Sequence, residues 1–217
     1  MKRPYVIINC AMSADGKIAS PTGHQLRISN EEDIKSMYNL RNSNDAVLVG
    51  VGTILSDNPK LTVKEQYVKN PRNPIRIILD THCRTKPNSL AVDENAKTLI
   101  FANEECDKKY GDNVEIIQCG IDSEGLIDLE EMLEKLLNYE INKLMVEGGS
   151  TIIWNFLKQG FVDDLFVFIG PVIIGGKYTP SMADGEGITK NENIVNLEVV
   201  DVNKIGNGIL VHYRLIK

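Results

Sequence analysis

Short, continuous runs of apolar and β-branched residues recur along the chain and constrain its fold more than any other sequence feature. Each run is bounded by Gly, Pro, Asn or Asp, as is typical of strands. Most are apolar throughout rather than alternating, which indicates parallel strands buried on both faces. The predicted strands of this kind are Tyr5–Ala11, Ala46–Gly50, Ile75–Asp80, Thr98–Ala102, Val114–Cys119, Lys143–Val146 and Asp164–Ile169.

Segments with helical periodicity separate several of these strands. Ser29 followed by Glu32 has the form of a capping box and predicts the start of a helix that continues to Arg41. An apolar stripe predicts a second helix over residues 129–141, and a shorter one is predicted over 152–158. The alternation predicts an α/β fold with a mainly parallel central sheet flanked by helices.

The pattern changes after Gly170. Leu197–Val202 and Ile209–Ile216 predict two strands joined by the turn Gly206-Asn207-Gly208, and therefore a C-terminal antiparallel hairpin. No break in composition marks a linker, and 217 residues can bury a core without a disulfide or a metal. We therefore expect one domain over residues 1–217.

Composition excludes several classes of protein. The formal net charge of −6 argues against a nucleic-acid-binding protein, which needs a basic face. The first apolar run is too short for a signal peptide, and no run approaches the 18 residues of a membrane span. The four cysteines are scattered without a C-x-x-C pair, which predicts free thiols in a reducing cytoplasm and no metal site.

Ligands of open α/β sheets bind beyond the carboxyl ends of the strands, so the residues that follow each strand are the candidates. The strongest is Glu147-Gly148-Gly149-Ser150-Thr151, directly before a helix. Glycines allow close approach of a ligand, and the first N–H groups of a helix attract phosphate. A plain strand-to-helix turn is the alternative, but a turn does not need Glu147, whose carboxylate suits a ring nitrogen or amino group of a substrate.

Three further runs follow strands. Gly50-Val51-Gly52-Thr53 lacks the third glycine of the dinucleotide fingerprint and is followed by Asp57, which also suits a simple turn. In the run 80–86, Asp80 suits a ribose hydroxyl, whereas Arg84 and its basic neighbour suit a 2′-phosphate and favour NADP; a solvated loop is the alternative. The turn 13–18 carries Lys17, which suits either solvent or a ligand.

Motifs for other chemistries are absent from the sequence. It contains no G-x-S-x-G nucleophile elbow, no P-loop and no zinc-deaminase signature. Hydride transfer fits a chain without a nucleophile or metal motif, because there a nicotinamide cofactor carries the chemistry and the protein orients the reactants.

Taken together and in order, these segments resemble the reductase family of riboflavin biosynthesis. That family includes stand-alone archaeal and fungal enzymes and the C-terminal reductase domain of the bacterial bifunctional deaminase–reductase. The matching runs are 9–19, 40–41, 45–53, 57–63, 73–80, 146–151 and 170–176.

The resemblance implies a dihydrofolate-reductase-like fold, a cytoplasmic homodimer and NADPH as cofactor, with NADH as the second candidate. The implied reaction reduces the ribosylamino side chain of 2,5-diamino-6-(ribosylamino)-4(3H)-pyrimidinone 5′-phosphate to a ribitylamino group. The ribosylamine opens to an imine, and hydride is added at C1′ of the sugar. Because the sequence has no deaminase motif, the stand-alone type, which acts before deamination, is expected.

The resemblance also assigns site residues by position. Arg41 and Lys64 would bind the substrate phosphate and Glu147 the pyrimidine, while Lys17 or Asp57 would assist proton transfer, so that Lys17, Asp57 and Glu147 are the expected catalytic residues. The expected cofactor contacts are Thr53, Asp57, Thr81, Arg84, Gly148, Gly149, Ser150, Thr151 and Arg27. The expected substrate contacts are Arg41, Leu61, Lys64, Glu147 and Gln25.

Two alternatives share the predicted fold. A true dihydrofolate reductase would bind a pteridine through an acid on the first helix, where Glu31, Glu32 and Asp33 lie. Such an enzyme has less use for the Arg41 and Lys64 pair than an enzyme that binds a sugar phosphate. A non-catalytic module would bind NADPH and turn over no pyrimidine.

Overall fold

The computed structural model describes residues 2–216, which divide into two compact units. We call Tyr38–Met145, with the described residues up to Tyr5, the first unit. The second unit comprises Val6–Met37 and the described residues from Val146 onward.

Nine strands and four α-helices form the described part of the chain. The strands are β1 (Tyr5–Ser13), β2 (Ala46–Gly50), β3 (Ile75–Leu79), β4 (Thr98–Ala102), β5 (Val114–Gln118), β6 (Lys143–Gly148), β7 (Asp164–Gly170), β8 (Leu197–Ile205) and β9 (Gly208–Leu215). The helices are α1 (Glu31–Ser43), α2 (Val51–Asp57), α3 (Leu129–Leu136) and α4 (Ser150–Lys158). Short 3₁₀ turns occur at Leu90–Val92, Leu137–Tyr139 and Asn191–Asn193.

The first unit contains a parallel sheet in the order β5-β4-β3-β2. Every residue of β2 and β4 is buried, as their continuous apolar sequences predict for strands covered on both faces. A core on one side of this sheet joins β2, α2 and the segment after it. Its members are Val47, Val49, Val51, Ile54, Leu61, Ile78, Ala91, Val92 and Ile100.

The second unit contains strands in the order β1-β7-β9-β8. β1 and β7 are parallel, with Ile7 opposite Asp164, whereas β9 runs antiparallel to both β7 and β8. A β-bulge interrupts the hairpin between Val199 and Asp201. The predicted C-terminal hairpin and the mainly parallel α/β fold are confirmed.

The helices differ from the predictions at three places. The predicted capping box at Ser29 is wrong, because the Asn30 side chain accepts the hydrogen bond from the Asp33 N–H at 2.9 Å. Asn caps a helix as well as Ser does, and this cap places three acidic residues in the first turn of α1. The α-helix predicted over 129–141 ends at Leu136 in a 3₁₀ turn, and α2 was not predicted at all.

A buried arginine organises the loop before β4. The side chain of Arg76 is fully buried, and its Nη1 lies 2.7 Å from Asp93 Oδ1. The same guanidinium donates to Thr98 Oγ1 at 2.9 Å and to the carbonyl oxygen of Ala96 at 2.6 Å. Burial lowers the pKa of Arg76, whereas Asp93 opposes that shift, so the group is a buried cation held by many acceptors.

The prediction of four free thiols is wrong for two of them. Cys83 and Cys106 form a disulfide with a Cα–Cα distance of 5.6 Å, which is ordinary for such a bond. Cys10 and Cys119 are free and buried. Within residues 2–216, no helix is long and apolar enough to cross a bilayer.

Candidate active site

The first candidate segment of the first unit is α2, which follows β2 without a loop. Val51 and Ile54 are buried on one side of this helix, whereas Thr53 is only partly buried and Asp57 is exposed. Residues four apart share a helix face, so Thr53 and Asp57 lie on the same side. The structure therefore brings these two predicted cofactor contacts together.

The turn after β3 is built around a buried carboxylate. Asp80 has no solvent exposure, and its oxygens accept hydrogen bonds from Arg84 N (2.8 Å), Thr85 N (2.7 Å) and Thr85 Oγ1 (2.7 Å). The alternative in which Asp80 binds a ribose does not fit, because this carboxylate is already used inside the turn. The Asp80 carboxylate instead fixes the shape of the segment that carries Thr81 and Arg84.

Thr81 and Arg84 remain accessible on that turn. The carbonyl oxygen of Thr81 accepts hydrogen bonds from Asn103 N and Glu104 N, both at 3.1 Å, which fixes the backbone there. The Arg84 side chain is 55% exposed, with its Nε 3.9 Å from Asp80 Oδ1. An exposed guanidinium on a fixed turn suits an anionic ligand.

Arg41 and Lys64, the predicted phosphate contacts, meet at one aromatic ring. Arg41 Cζ lies 5.4 Å from the Tyr38 ring centroid, and Lys64 Nζ lies 5.7 Å from the same centroid. Arg41 Nη1 also donates to the Thr62 carbonyl oxygen at 3.0 Å. The structure thus places two cations within 6 Å of one ring centroid, and they come from segments more than twenty residues apart.

Leu61 lies in the segment that carries Lys64, but its side chain faces the core. It is 1% exposed, and its φ of 54° is in the left-handed region. This backbone turn, together with a hydrogen bond from Val63 N to Asn73 Oδ1 at 2.9 Å, sets the course of the chain towards Lys64. A substrate contact of Leu61 would therefore be made by its backbone.

The glycine turn of the second unit leads from β6 into α4. Gly148 has a φ of 109°, and a Cβ placed on it would lie 3.5 Å from Ile153 Cδ1. Gly149 is the N-cap of α4, with no side chain capping the helix. The N-cap residue therefore offers no side chain to the first N–H groups of α4, and N–H groups at a helix start suit a phosphate. Ser150 and Thr151 form the first helical residues, and Glu147 is partly buried in β6.

Lys17 is tied to the long segment that follows β7. Its Nζ donates to the carbonyl oxygen of Thr179 at 3.0 Å. The same segment reaches α4, because Asp184 N donates to the Ser150 carbonyl oxygen at 3.4 Å and Trp154 Nε1 donates to Glu186 at 3.0 Å. Residues 179–186 thus link the Lys17 turn to the start of α4.

Asp15 fixes the other end of that segment. Its carboxylate accepts hydrogen bonds from Ser13 Oγ, Ile174 N and Gly175 N at 2.6, 3.1 and 2.7 Å. The bond from Ser13 and those from the two backbone groups lower the pKa of Asp15 to about 2. An ionised carboxylate therefore holds the 172–176 run against the turn that carries Lys17.

Arg27 and Gln25 are exposed residues of the segment before α1. Arg27 lines a cavity of about 320 Å³ with residues of the α1 N-terminus and of the run after β7. The other lining residues are Ile28, Ser29, Asn30, Glu31, Pro171, Val172 and Asn207. This cavity places Arg27 beside part of the 170–176 motif.

The acids of the first helix differ in their surroundings. Glu31 and Glu32 are exposed, whereas Asp33 is 4% exposed and burial raises its pKa. Burial also raises the pKa of Cys10 to about 12, with a smaller contribution from Asp33. Within residues 2–216, no three side chains of the metal-binding types form a cluster.

Several residues of these clusters were not predicted. Tyr38 gave no signal because an aromatic residue at helical spacing is ordinarily a core residue. The segment 179–186 has no regular pattern, and only its contacts reveal its position. The Asp15-Gly16 pair was visible as a turn, but the partners of the Asp15 carboxylate lie about 160 residues away.

A parallel α/β sheet with a glycine turn that leads into a helix is typical of nucleotide-binding enzymes. The family model described as "RibD C-terminal domain" matches residues 4–211. The chain belongs to this family, and this membership supports its classification as an oxidoreductase.

Two similar proteins, from Archaeoglobus fulgidus and Methanothermobacter thermautotrophicus, are both named 2,5-diamino-6-ribosylamino-4(3H)-pyrimidinone 5′-phosphate reductase. The first is 36% identical, with 98% of each chain covered. The second is 37% identical, with 98% of this chain and 99% of the relative covered.

Solved structures agree with the fold. A Thermotoga maritima diaminohydroxyphosphoribosylaminopyrimidine deaminase/5-amino-6-(5-phosphoribosylamino)uracil reductase has a TM-score of 0.84 and 30% identity. That match covers 99% of this chain and 57% of the bifunctional one. An Enterococcus faecalis dihydrofolate reductase has a TM-score of 0.53 at 12% identity over 98% of this chain and 97% of that one. This second likeness concerns the fold alone, and it confirms the dihydrofolate-reductase-like architecture.

Proposed function

We propose that this chain is an NADPH-dependent reductase of 2,5-diamino-6-(ribosylamino)-4(3H)-pyrimidinone 5′-phosphate in riboflavin biosynthesis. Two near-full-length relatives carry the name of this activity. The geometric observation that carries the proposal is the placement of Arg41 and Lys64 within 6 Å of the same ring. Paired cations suit the dianionic phosphate of such a substrate.

The residues of each unit fit a nicotinamide dinucleotide in different ways. In the second unit, the uncapped start of α4 after Gly148 and Gly149 suits a phosphate of the cofactor. In the first unit, the exposed guanidinium of Arg84 suits the 2′-phosphate that distinguishes NADPH from NADH. When bound, the cofactor supplies the hydride that reduces the substrate.

The remaining residues bind the substrate and handle protons. Arg41 and Lys64 bind the phosphate, and Glu147 accepts hydrogen bonds from the amino groups of the pyrimidine. Lys17, whose ammonium group is oriented by the Thr179 carbonyl, donates a proton at the opened sugar. Asp57 lies on the same face of α2 as Thr53, and both side chains contribute to binding the cofactor.

A dihydrofolate reductase is the less favoured assignment. It would use the buried acid of α1, Asp33, for the pteridine. The likeness to that enzyme is one of fold, at 12% identity. The relatives with 36–37% identity are named for the ribosylaminopyrimidine reductase instead.

The test is oxidation of NADPH by the pure protein. The diamino ribosylaminopyrimidine phosphate, its deaminated analogue and dihydrofolate are compared as substrates, with NADH as the cofactor control. Turnover of the diamino compound with NADPH is the expected result. Turnover of the deaminated analogue alone would reverse the order of the two steps, and turnover of dihydrofolate alone would contradict the proposal.

We also propose that residues 1–217 act as one reductase domain and pair as a homodimer. The biosynthetic names of the relatives, rather than the cysteines, support the proposal of a cytoplasmic location. The edge strand β8 and its neighbour β9 present Val199, Val202 and Ile209 on one sheet face, and these side chains are 58%, 56% and 44% exposed. An exposed apolar edge of this kind favours pairing with a second copy. Light scattering of the wild type and of Val202→Lys tests this, with a shift towards monomer expected for the variant.

A further inference from the structure

Tyr38 supplies the ring that both Arg41 and Lys64 approach, and the function proposed above gives it no role. It precedes Arg41 by three positions on α1, so the two side chains share a helix face. The Tyr38 side chain is buried, with 6% exposure, and Arg41 is nearly as buried at 8%. Lys64 comes from a separate segment and is exposed.

The Tyr38 ring is itself held in place. Tyr67 stacks on it with 5.0 Å between the ring centroids and 11° between the planes. The turn that carries Tyr67 begins at Lys64, whose carbonyl oxygen accepts hydrogen bonds from Tyr67 N at 3.1 Å and Val68 N at 3.3 Å. The stacked pair therefore ties the position of Lys64 to the position of the Tyr38 ring.

Two cations that lie near the same ring repel each other unless something offsets their charge. The negative π-face of an aromatic ring does so, because it attracts a cation that lies within about 6 Å of its centroid. This attraction needs no hydrogen-bond acceptor on the ring. A phosphate can then accept charge-assisted hydrogen bonds from both groups.

We propose that Tyr38 is a positioning residue, whose ring holds Arg41 and Lys64 together as the site for the phosphate of the substrate. It follows that Tyr38 determines the preference of the enzyme for a phosphorylated over a dephosphorylated ribosylaminopyrimidine. This inference rests on the proposed function, because it assumes that the anion at this pair is the substrate phosphate.

The test compares Tyr38→Leu with Tyr38→Phe on the substrate and on its dephosphorylated riboside. Leucine keeps helix propensity and removes the ring, whereas phenylalanine keeps the ring and removes the hydroxyl. For Tyr38→Leu we expect KM for the phosphorylated substrate to rise about tenfold, as for the loss of two cation–π contacts. Three quantities should remain at wild-type values: KM for the dephosphorylated riboside, kcat for both compounds and the Kd of NADPH. Tyr38→Phe should have the wild-type KM for the phosphorylated substrate.

A uniform loss on both compounds would overturn the inference, because it would indicate a structural role. So would a Tyr38→Phe variant as impaired as Tyr38→Leu. If Tyr38→Leu does not fold, Tyr67→Leu removes only the stacked partner, and the same selective rise in KM, of smaller size, is expected. An unchanged KM for that variant would count against the inference.

The inference and the proposed function can fail separately. If the wild type reduces neither compound, the proposed function fails, and binding of ribose 5-phosphate decides the inference. Wild type and Tyr38→Phe should then bind ribose 5-phosphate with equal Kd, and Tyr38→Leu about tenfold more weakly. Equal binding by all three proteins would overturn the role of Tyr38.

Discussion

The carboxylate of Asp15 and the backbone N–H of Gly175 are joined by a 2.7 Å hydrogen bond that spans 160 residues of sequence. The adjacent N–H of Ile174 donates to the same carboxylate at 3.1 Å. The turn that carries Lys17 and the run after β7 are therefore held together by one ionised side chain. Groups that bind a carboxylate in this way keep it charged at low pH.

This contact predicts a pH-dependent contribution to stability. The folded-state pKa of Asp15 is lowered to about 2, whereas an unfolded Asp titrates near ~3.9. A lowered folded-state pKa stabilises the fold above the unfolded pKa, and this contribution is lost as the pH falls from about 4 to about 2. Asp15→Asn should therefore be less stable than wild type at pH 7, and the difference should shrink below pH 4. Urea unfolding across this range measures it, and a difference that does not vary with pH would contradict the assignment.

The second prediction concerns Arg41. Because its guanidinium would bind a dianion, Arg41→Ala should raise KM for the phosphorylated substrate roughly 10- to 100-fold, as for the loss of a charged hydrogen bond. The Kd of NADPH should stay within about twofold, since the expected cofactor contacts are other residues. Steady-state kinetics and fluorescence titration of NADPH measure the two quantities.

Arg72→Ala is the matched control for Arg41→Ala. Arg72 is an arginine of the same unit with a 63% exposed side chain that pairs with Asp45 at 3.3 Å. Its removal should change neither KM nor the Kd of NADPH. Equal losses of substrate and cofactor affinity in Arg41→Ala would refute the phosphate assignment.

The third prediction concerns the buried guanidinium of Arg76. Arg76→Met keeps much of the apolar length but removes the guanidinium hydrogen bonds to Asp93 and to the Ala96 carbonyl oxygen. Asp93 then keeps its bonds from Asn95, and the Ala96 carbonyl oxygen keeps its bond from Asn113. The free energy of unfolding should fall by roughly 3 kcal/mol, because several hydrogen bonds from a buried charged group and an ion pair are lost together. Arg72→Ala should change it by less than ~1 kcal/mol, as surface pairs do. If Arg76→Met lowers the free energy of unfolding by less than ~1 kcal/mol, the guanidinium does not stabilise the loop more than a surface pair does.

The fourth prediction concerns the Cys83–Cys106 disulfide, whose half-cystines are 23 positions apart. Closing a loop of this length stabilises a fold by about 3 kcal/mol through the entropy of the unfolded chain. A reducing agent should lower the Tm of wild type by roughly 6–12 °C at this chain length. Cys106→Ser cannot form the bond, so its Tm should equal that of reduced wild type whether or not the reductant is present. Identical Tm values for oxidised and reduced wild type would mean that the bond contributes nothing.

The strands and the hairpin were predictable because local composition decides them. A run such as Ala46–Gly50 is apolar in every position, and the structure buries every one of those side chains. The α2 helix was missed because its seven residues are too few for a helical period, and because Gly50 precedes it and Gly52 lies within it. The cap at Asn30 was missed because Ser29, one position earlier, is an equally good capping residue.

The candidate site was predictable only where a motif carries it. The run Glu147–Thr151 indicated a ligand turn before the structure placed it at the start of α4. The disulfide was not predictable, because nothing in the local sequence of Cys83 points to Cys106. The meeting of Tyr38 with Lys64 depends on the left-handed backbone at Leu61, which is a property of the packed chain.

The pairing of β1 with β7 has a consequence for the emergence of the chain from the ribosome. The residues of Tyr38–Met145 are contiguous, and within them β2, β3, β4 and β5, each paired with the next, are synthesised one after another. β1 is made first, but its partner across Ile7, Asp164, is made more than 150 residues later. Strand β1 must therefore wait while the residues between it and β7 are synthesised, and its apolar face depends on protection during that interval.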